Sequence, residues 1–280
     1  MEIIEAIRPL RAALKHLPRP VGLVPTMGFL HAGHLALIER ARKETRSLVV
    51  SVFINPEQFG SHEDIKTYPR DMGSDLVKLE EAGVDLVFTP PVSEIYPPGF
   101  ASYVEVGQIG ERLEGEYRAG HFKGVATIVC KLISLVRPER AYFGEKDYQQ
   151  TKVVAQLNAD LNLGSEIVVL PTVRESDGLA LSTRNIYLDP WERGAATILY
   201  RSLSLAREMV SDGILDVERI RCRMRVAICA EPLSEVDYIS IVNEATLEEI
   251  DSIKDSARAL VAIRIGKTRL IDNMSLFVEG

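Results

Sequence analysis

Cysteine is scarce in this 280-residue chain, and its pattern argues against two classes of structure. The three cysteines, Cys130, Cys222 and Cys229, are widely spaced or lie in helical patterns, and no CxxC motif occurs. Disulfide frameworks and zinc sites use characteristic cysteine spacings, so we expect reduced thiols and neither of these structures. The first residues, Met1 to Glu5, lack the basic and apolar regions of a signal peptide, which predicts a cytoplasmic protein.

Long apolar runs and an excess of positive charge are missing as well. No apolar run is long enough to cross a bilayer, so we expect no membrane partner. The net charge of −7 argues against general binding to nucleic acid or to anionic membranes. An ATP site stays compatible with this charge, because a few local cations outweigh a distant negative surface. The length allows two domains, and the hydrophobic content of 46% is ordinary for a globular protein.

Strand and helix patterns alternate over the first part of the sequence. Strands are predicted at 21–24, 47–54, 85–89, 140–143 and 166–170, and helices at 35–41, 71–81, 124–136 and 148–161. This alternation predicts an α/β domain whose parallel sheet has helices on both faces.

The pattern changes near residues 189–190. Two helices at 191–210 and 216–228 are followed by strands at 236–242, 257–265 and 269–272. Consecutive helices followed by consecutive strands predict a smaller α+β domain with an antiparallel sheet. We therefore predict domains at residues 1–183 and 184–280.

Two histidines lie where the first predicted strand leads into a helix. The run from Pro25 to His34 contains His31-Ala32-Gly33-His34 directly before a segment with helical spacing. A helix N-terminus attracts phosphate through its free N–H groups and its dipole, and Gly33 lets a ligand approach the backbone. Imidazoles add donors that stabilise charge as it develops on phosphate. A nucleotide site is the favoured interpretation, and an ordinary helix cap is the alternative.

Three further segments follow predicted strands. The loop after strand 47–54 contains Gln58, whose amide suits a polar substrate, although the Asn-Pro pair before it is also a common turn starter. The segment 144–150 places Lys146 beside a helix N-terminus, where it suits a phosphate. Asp147 either holds magnesium through water or caps the helix. The segment 174–185 combines two hydroxyls and a cation that suit nucleotide phosphates, or else it forms an ordinary cap.

Together these segments resemble the pantoate–β-alanine ligase family over nearly the whole chain. The matching motifs are Pro25 to His34, Asn55-Pro56-x-Gln58-Phe59, Tyr68-Pro69-Arg70, Leu113-Glu114-Gly115, Gly120-His121-Phe122-x-Gly124-Val125, Gly144 to Gln150, Asp177 to Asn185 and Thr268 to Asn273. The HxGH pattern by itself marks only the wider nucleotidyltransferase superfamily, whereas the ordered set is far more specific.

The resemblance implies a Rossmann-like N-terminal domain that binds nucleotide and pantoate, a C-terminal lid domain and a homodimer. It implies ATP with magnesium, (R)-pantoate and β-alanine as reactants, with a pantoyl-adenylate intermediate. By position, His34 is the expected proton donor, and His31, Lys146 and Arg184 are expected to assist catalysis. Gln58 and Gln150 are expected to bind pantoate, with Gln58 also binding β-alanine. The expected ATP contacts are Met27, Gly28, Phe29, Leu30, His31, Ala32, Gly33, His34, Gly144, Glu145, Lys146, Asp147, Val173, Leu181, Ser182, Thr183 and Arg184.

Two other functions share parts of this pattern. A nucleotidylyltransferase acting on a phosphorylated acceptor would share the histidines and the hydroxyl-cation loop. It would need extra cations for the acceptor phosphate in place of the paired glutamines. A non-catalytic nucleotide sensor is the third interpretation, although a sensor has no need of transition-state donors.

Overall fold

The computed structural model describes residues 1–60 and 63–277. The chain divides into two compact units. Unit 1 consists of residues 1–145 and 149–171, and unit 2 consists of residues 146–148 and the chain from Thr172 onward. The last three residues of the predicted second domain lie outside the described residues.

The boundary between the units precedes the sequence-predicted domain boundary at 183/184. Residues 172–183 group with unit 2 because Arg174 forms a two-pronged ion pair with the buried carboxylate of Asp272, at 2.6 Å (Nη1 to Oδ2) and 2.9 Å (Nη2 to Oδ1). Arg174 also stacks on the ring of Tyr200, with its Cζ 4.9 Å from the ring centroid. This loop is therefore fixed by long-range contacts that the local sequence pattern does not reveal.

Unit 1 is built on a six-stranded sheet. The strands are β1 (Glu2–Ile4), β2 (Val21–Thr26), β3 (Ser47–Val52), β4 (Leu86–Phe88), β5 (Arg140–Gly144) and β6 (Glu166–Leu170). The helices over the same part of the chain are α1 (Ile7–Leu14), α2 (Ala32–Glu44), α3 (Met72–Glu81), α4 (Val92–Ile95), α5 (Glu114–Tyr117), α6 (His121–Val136) and α7 (Tyr148–Asp160).

The sheet is parallel and runs in the order β1-β4-β3-β2-β5-β6. Alternate strand residues face opposite sides: Leu23 and Phe143 join the core beneath α1, α6 and α7, while Val24 and Val50 join the core beneath α2 and α3. The prediction of a doubly wound, Rossmann-like sheet is confirmed. Because β2 has β3 on one side and β5 on the other, the loops after β2 and β5 flank the switch point at which such folds bind ligands.

Unit 2 is the smaller α+β unit, as predicted. Its helices are α8 (Pro190–Ala195), α9 (Ile198–Ser211) and α10 (Val217–Cys229), and its strands are β7 (Ser234–Val242), β8 (Ser256–Ile265) and β9 (Thr268–Phe277). The strands form an antiparallel sheet in the order β7-β8-β9, and α9 and α10 share a core with it.

Two predicted elements of unit 2 differ from the structure. The single helix predicted at 191–210 is wrong, because Thr197 bonds to the carbonyl of Gly194 through both its N–H and its Oγ1 and separates α8 from α9. The strand predicted at 269–272 continues to Phe277 as β9, paired with β8 along its whole length. In the described residues no helix has the length and apolar character needed to span a membrane.

Candidate active site

The candidate residues of unit 1 lie at the carboxyl ends of β2, β3 and β5 and in the turns and first helical turns that follow these strands. His31 is the N-cap of α2, and its Nδ1 accepts a hydrogen bond from the Gly33 N–H at 3.1 Å. The Nδ1 of His34 accepts in turn from the His31 N–H at 3.3 Å, and the two ring centroids are 4.0 Å apart. A neutral imidazole that accepts at Nδ1 carries its proton on Nε2. Each ring is therefore part of the helix cap and, at Nε2, a hydrogen-bond donor. The cap interpretation holds, and the nucleotide site stays a prediction.

The turn between β2 and α2 is held in an unusual backbone conformation. Gly28 and Phe29 both have positive φ, at 83° and 53°. The carboxylate of Asp75 on α3, which is 1% exposed, accepts from the backbone N–H groups of Phe29 and Leu30, both at 2.7 Å. One helical turn along, Lys78 Nζ donates to the Leu30 carbonyl at 2.7 Å. Hence α3 clamps the turn between β2 and α2 through a charged pair at i and i+3.

Gln58 lies in a short 3₁₀ turn, Pro56–Gln58, that follows β3. Its Oε1 accepts from Asn55 Nδ2 at 3.2 Å, and its Nε2 donates to the sulfur of Met27 at 3.0 Å. Asn55, which is buried, also donates to the Gly124 carbonyl at 3.0 Å and accepts from the Tyr96 hydroxyl at 2.7 Å. Within unit 1, Gln58, which is predicted to bind pantoate, therefore contacts Met27, the first residue predicted to bind ATP.

The backbone of helix α6 lies close to this turn at Gly124. A Cβ on Gly124 would lie only 2.1 Å from the carbonyl oxygen of Glu57, so α6 can pack this closely only with glycine there. From the same helix, His121 Nδ1 donates to the Gln58 carbonyl at 2.8 Å, and its Nε2 accepts from Arg118 Nη1 at 3.0 Å. Arg118 is itself held by the carboxylate of Glu63 at 2.6 Å.

Burial and the neighbouring Arg118 guanidinium lower the pKa of His121 to about 4. The unfolded chain takes up this proton near pH 6.5 whereas the folded chain does not, so the stabilising contribution is complete above pH 6.5 and is lost as the pH falls toward 4. We expect this one histidine to lower the free energy of unfolding by about 3 kcal/mol over that interval. Urea unfolding at a series of pH values measures it.

The matched variant is His121→Asn, whose Nδ2 replaces the Nδ1 donor and does not titrate. Relative to the parent, its free energy of unfolding should change less steeply between pH 6.5 and 4. Identical pH dependence in the two proteins would show that the pKa of His121 is the same in the folded and unfolded chains.

The segment after β5 carries candidates that belong to both units. Gly144 is the last residue of β5, and Glu145, Lys146 and Asp147 form a 3₁₀ turn that leads into α7. Lys146 is 19% exposed, with Nζ 3.7 Å from the Asp147 carboxylate. Gln150 lies half-buried in the first turn of α7.

The remaining candidates lie together in unit 2. Residues 173–181 form a hairpin in which the Leu181 N–H donates to the Val173 carbonyl at 3.0 Å, with the tight turn at Asp177-Gly178. Ser182 then caps the 3₁₀ turn Thr183–Tyr187, since its hydroxyl accepts from the Arg184 N–H at 3.3 Å. Thr183 is buried and Arg184 half-buried. The cap interpretation therefore holds for Ser182, and its phosphate role stays a prediction.

Sequence reasoning missed the clamp on the loop before α2. The sequence pattern places Asp75 and Lys78 in a helix, and their spacing alone gives no reason to connect them with residues far earlier in the chain. The one local signal is a carboxylate on a face that the helical pattern places inward, because a buried charge requires partners. Among residues 1–60 and 63–277, no group of three or more histidine, cysteine, aspartate or glutamate side chains forms a candidate metal cluster.

Comparisons with known proteins give a consistent result. The model of the pantoate-beta-alanine ligase family matches residues 2–275. A pantothenate synthetase from Roseiflexus sp. (strain RS-1) is 51% identical over 276 residues, which cover 99% of this chain and 99% of that protein. The crystal structure of pantothenate synthetase from Thermus thermophilus superposes with a TM-score of 0.94 at 50% identity, covering 98% of this chain and 99% of the other.

A further similar structure contains ligands. The pantoate-beta-alanine ligase from Francisella tularensis, complexed with beta-gamma ATP and beta-alanine, superposes with a TM-score of 0.82 at 34% identity. The match covers 98% of this chain and 97% of that one.

Proposed function

The chain belongs to the pantoate–β-alanine ligase family, and from this premise we propose how its residues share the reaction. The protein is an amide-forming ligase of pantothenate biosynthesis. It condenses (R)-pantoate with β-alanine, with ATP converted to AMP and pyrophosphate through a pantoyl-adenylate. Family membership decides against the nucleotidylyltransferase and the sensor.

The chemistry requires no protein nucleophile. A carboxylate is a poor electrophile, so a pantoate oxygen first attacks the α-phosphorus of ATP and pyrophosphate leaves. The β-alanine nitrogen then attacks the acyl carbon of the adenylate, the new amide loses a proton, and AMP leaves. The protein contributes by positioning the reactants and by stabilising the charge that develops on phosphate.

We assign the ATP site to Met27 through His34, with His34 as the proton donor. The observation that carries this assignment is the hydrogen bonding of the His31 and His34 imidazoles at the start of α2. It places both Nδ1 atoms on backbone N–H groups and the ring protons on Nε2. These donors lie at the N-terminus of α2, beside the switch point, where anionic ligands are stabilised.

The remaining ATP contacts are assigned to two segments. Gly144 to Asp147 comprise the last residue of β5 and the turn after it, and Val173 with Leu181 to Arg184 follow β6. Lys146 and Arg184 supply fixed positive charge, while the Ser182 and Thr183 hydroxyls supply hydrogen bonds. Support comes from the hairpin geometry that groups Val173 with Leu181 and orders the backbone before Arg184.

Gln58 and Gln150 are assigned to pantoate, and Gln58 also to β-alanine. Neutral amides suit a hydroxyl-bearing monocarboxylate, because they donate and accept without adding charge. Gln58 is supported at its carbonyl by His121 and at its side-chain oxygen by Asn55, so its orientation is set before substrate arrives.

Magnesium, assembly and location complete the proposal. Magnesium would be carried mainly by the triphosphate, which needs few protein ligands, and Asp147 is the carboxylate beside Lys146 that would hold it. It would neutralise phosphate charge. A homodimer follows from the family resemblance, and light scattering after gel filtration would check it. For the location, we propose the cytoplasm, and the free thiols of Cys130, Cys222 and Cys229 support it.

The test of this proposal is exchange of labelled pyrophosphate into ATP. We expect exchange with pantoate in the absence of β-alanine, because that exchange requires a reversible pantoyl-adenylate step. Gln58→Ala should slow it roughly 10- to 100-fold, since a site built to hydrogen-bond a polar substrate loses much when a partner is deleted. Gln156→Ala, an exposed glutamine on α7, is the matched control and should behave as the parent.

Exchange that depends on a phosphorylated acceptor instead of pantoate would reject the site assignment. Full exchange by Gln58→Ala would remove Gln58 from the pantoate site.

A further inference from the structure

Residues 146–148 belong to unit 2, although the chain on both sides of them belongs to unit 1. A segment this short has no core of its own, so its position depends on the side chains that hold it. Two groups of contacts from β8, β9 and the turn after β7 do so.

The first group fixes the backbone of Lys146. Asn273 on β9 donates from Nδ2 to the Lys146 carbonyl at 2.9 Å. Its Oδ1 accepts from Arg258 Nη1 at 2.6 Å, and its backbone N–H donates to the Asp272 carboxylate at 2.8 Å. Asn273 is 4% exposed. With its side chain bonded at both ends, this asparagine has a fixed orientation, and so does the carbonyl to which it donates.

The second group holds Tyr148. Its ring lies beneath the Arg258 guanidinium, with Arg258 Cζ 3.8 Å from the ring centroid, and its hydroxyl donates to the Glu244 carbonyl at 2.8 Å. The Glu244 carboxylate accepts from Arg258 Nε at 3.1 Å and from the Ser275 hydroxyl at 2.5 Å. Arg258 therefore joins both groups, because it bonds Asn273 and stacks on Tyr148.

We propose that Asn273 is a positioning residue for adenylation, acting through Lys146. The inference rests on the proposed role of Lys146 at the ATP phosphates. A lysine carries its charge at the end of a four-carbon side chain. The position and orientation of the backbone set where that side chain leaves the chain and in which direction it starts. Preorganised charge stabilises a transition state only where it is aimed, and a displacement of about 1 Å costs up to about 100-fold in rate.

The variant Asn273→Asp tests the contact with the smallest change in shape. One carboxylate oxygen still accepts from Arg258, while the other faces the Lys146 carbonyl and cannot donate to it. We expect the single-turnover adenylation rate to fall roughly 10- to 100-fold, with pantoate affinity unchanged. Asn273→Ser, which is smaller and uncharged, should give the same pattern. It separates loss of the contact from added negative charge and replaces Asn273→Asp if that variant does not fold.

Asn158→Asp is the matched control. Its amide also donates to a backbone carbonyl, that of Ser165 at 2.8 Å, far along α7 from Lys146. We expect this variant to lose stability to a similar degree and to keep the adenylation rate of the parent.

A double-mutant cycle decides between positioning and a separate role. In a Lys146→Ala background, Asn273→Asp should slow adenylation by less than about twofold, because the group through which it acts is gone. Multiplicative effects of the two changes would overturn the proposal, as would a parental rate in both Asn273 variants. A parental rate in Lys146→Ala alone is a distinct result, which would refute the role of Lys146 and with it the need to position it.

Discussion

A protein carrying His34→Ala is expected to fold as the parent does and to form pantoyl-adenylate at least about 100-fold more slowly. His34 lies in the first turn of α2, where its Nδ1 accepts a long hydrogen bond of 3.3 Å from the His31 N–H. Alanine has a high helix propensity, so we expect α2 to form in the variant. The loss falls on the Nε2 donor, to which we have assigned the charge that develops on the ATP phosphates.

Single-turnover formation of the adenylate measures this loss, with far-UV circular dichroism and the melting temperature as checks on folding. His16→Ala, which removes an exposed histidine, is the control and should adenylate at the parental rate. A folded His34→Ala protein with near-parental turnover would exclude His34 as the proton donor.

The second large effect is expected from Lys146→Ala and Arg184→Ala, each of which should slow adenylation roughly 100- to 1000-fold. Both remove a cation assigned to the triphosphate, and neither changes the amides assigned to pantoate. Pantoate affinity, measured by calorimetry, should therefore stay close to that of the parent. Lys43→Ala and Arg201→Ala remove cations from α2 and α9 outside the assigned site and serve as matched controls.

The opposite pattern would contradict the assignment of these cations. If pantoate affinity collapsed in either variant while adenylation at saturating pantoate kept the parental rate, that cation would belong to the acid substrate. If both quantities stayed at parental values, it would belong to neither substrate.

The sheet of unit 1 was largely predictable because its strands are locally explicit. Ser47–Val52 is buried at every position, as expected of a central parallel strand, and its apolar run indicates this directly. The positions of His31 and His34 at the start of α2 were predictable for the same reason, since strand, turn and helix cap lie within a few consecutive residues. By contrast, β1 was not predicted: of its three residues only Ile4 is buried, which leaves no alternation to detect.

The local sequence pattern could not predict contacts between residues that lie far apart in the chain. Asp75 meets Phe29 and Leu30 only because α3 packs on the same face of the sheet as α2. β9 extends through Asn273, Met274 and Ser275 because β8 offers it a matching hydrogen-bonding edge, although these residues lack a strand-like alternation. Such partners are specified by tertiary packing, which overrides weak local preference.

The membership of residues 146–148 in unit 2 bears on how this enzyme can be recombined with its relatives. A chimera joined once, between Pro171 and Thr172, would take Lys146 and Tyr148 from one parent and Asn273 and Arg258 from the other. The contacts among these four residues would then join side chains from two different parents. Exchange of the C-terminal unit therefore needs three junctions, two of them around residues 146–148 and one before Thr172. Residues 146–148 and the C-terminal sequence then come from the same parent.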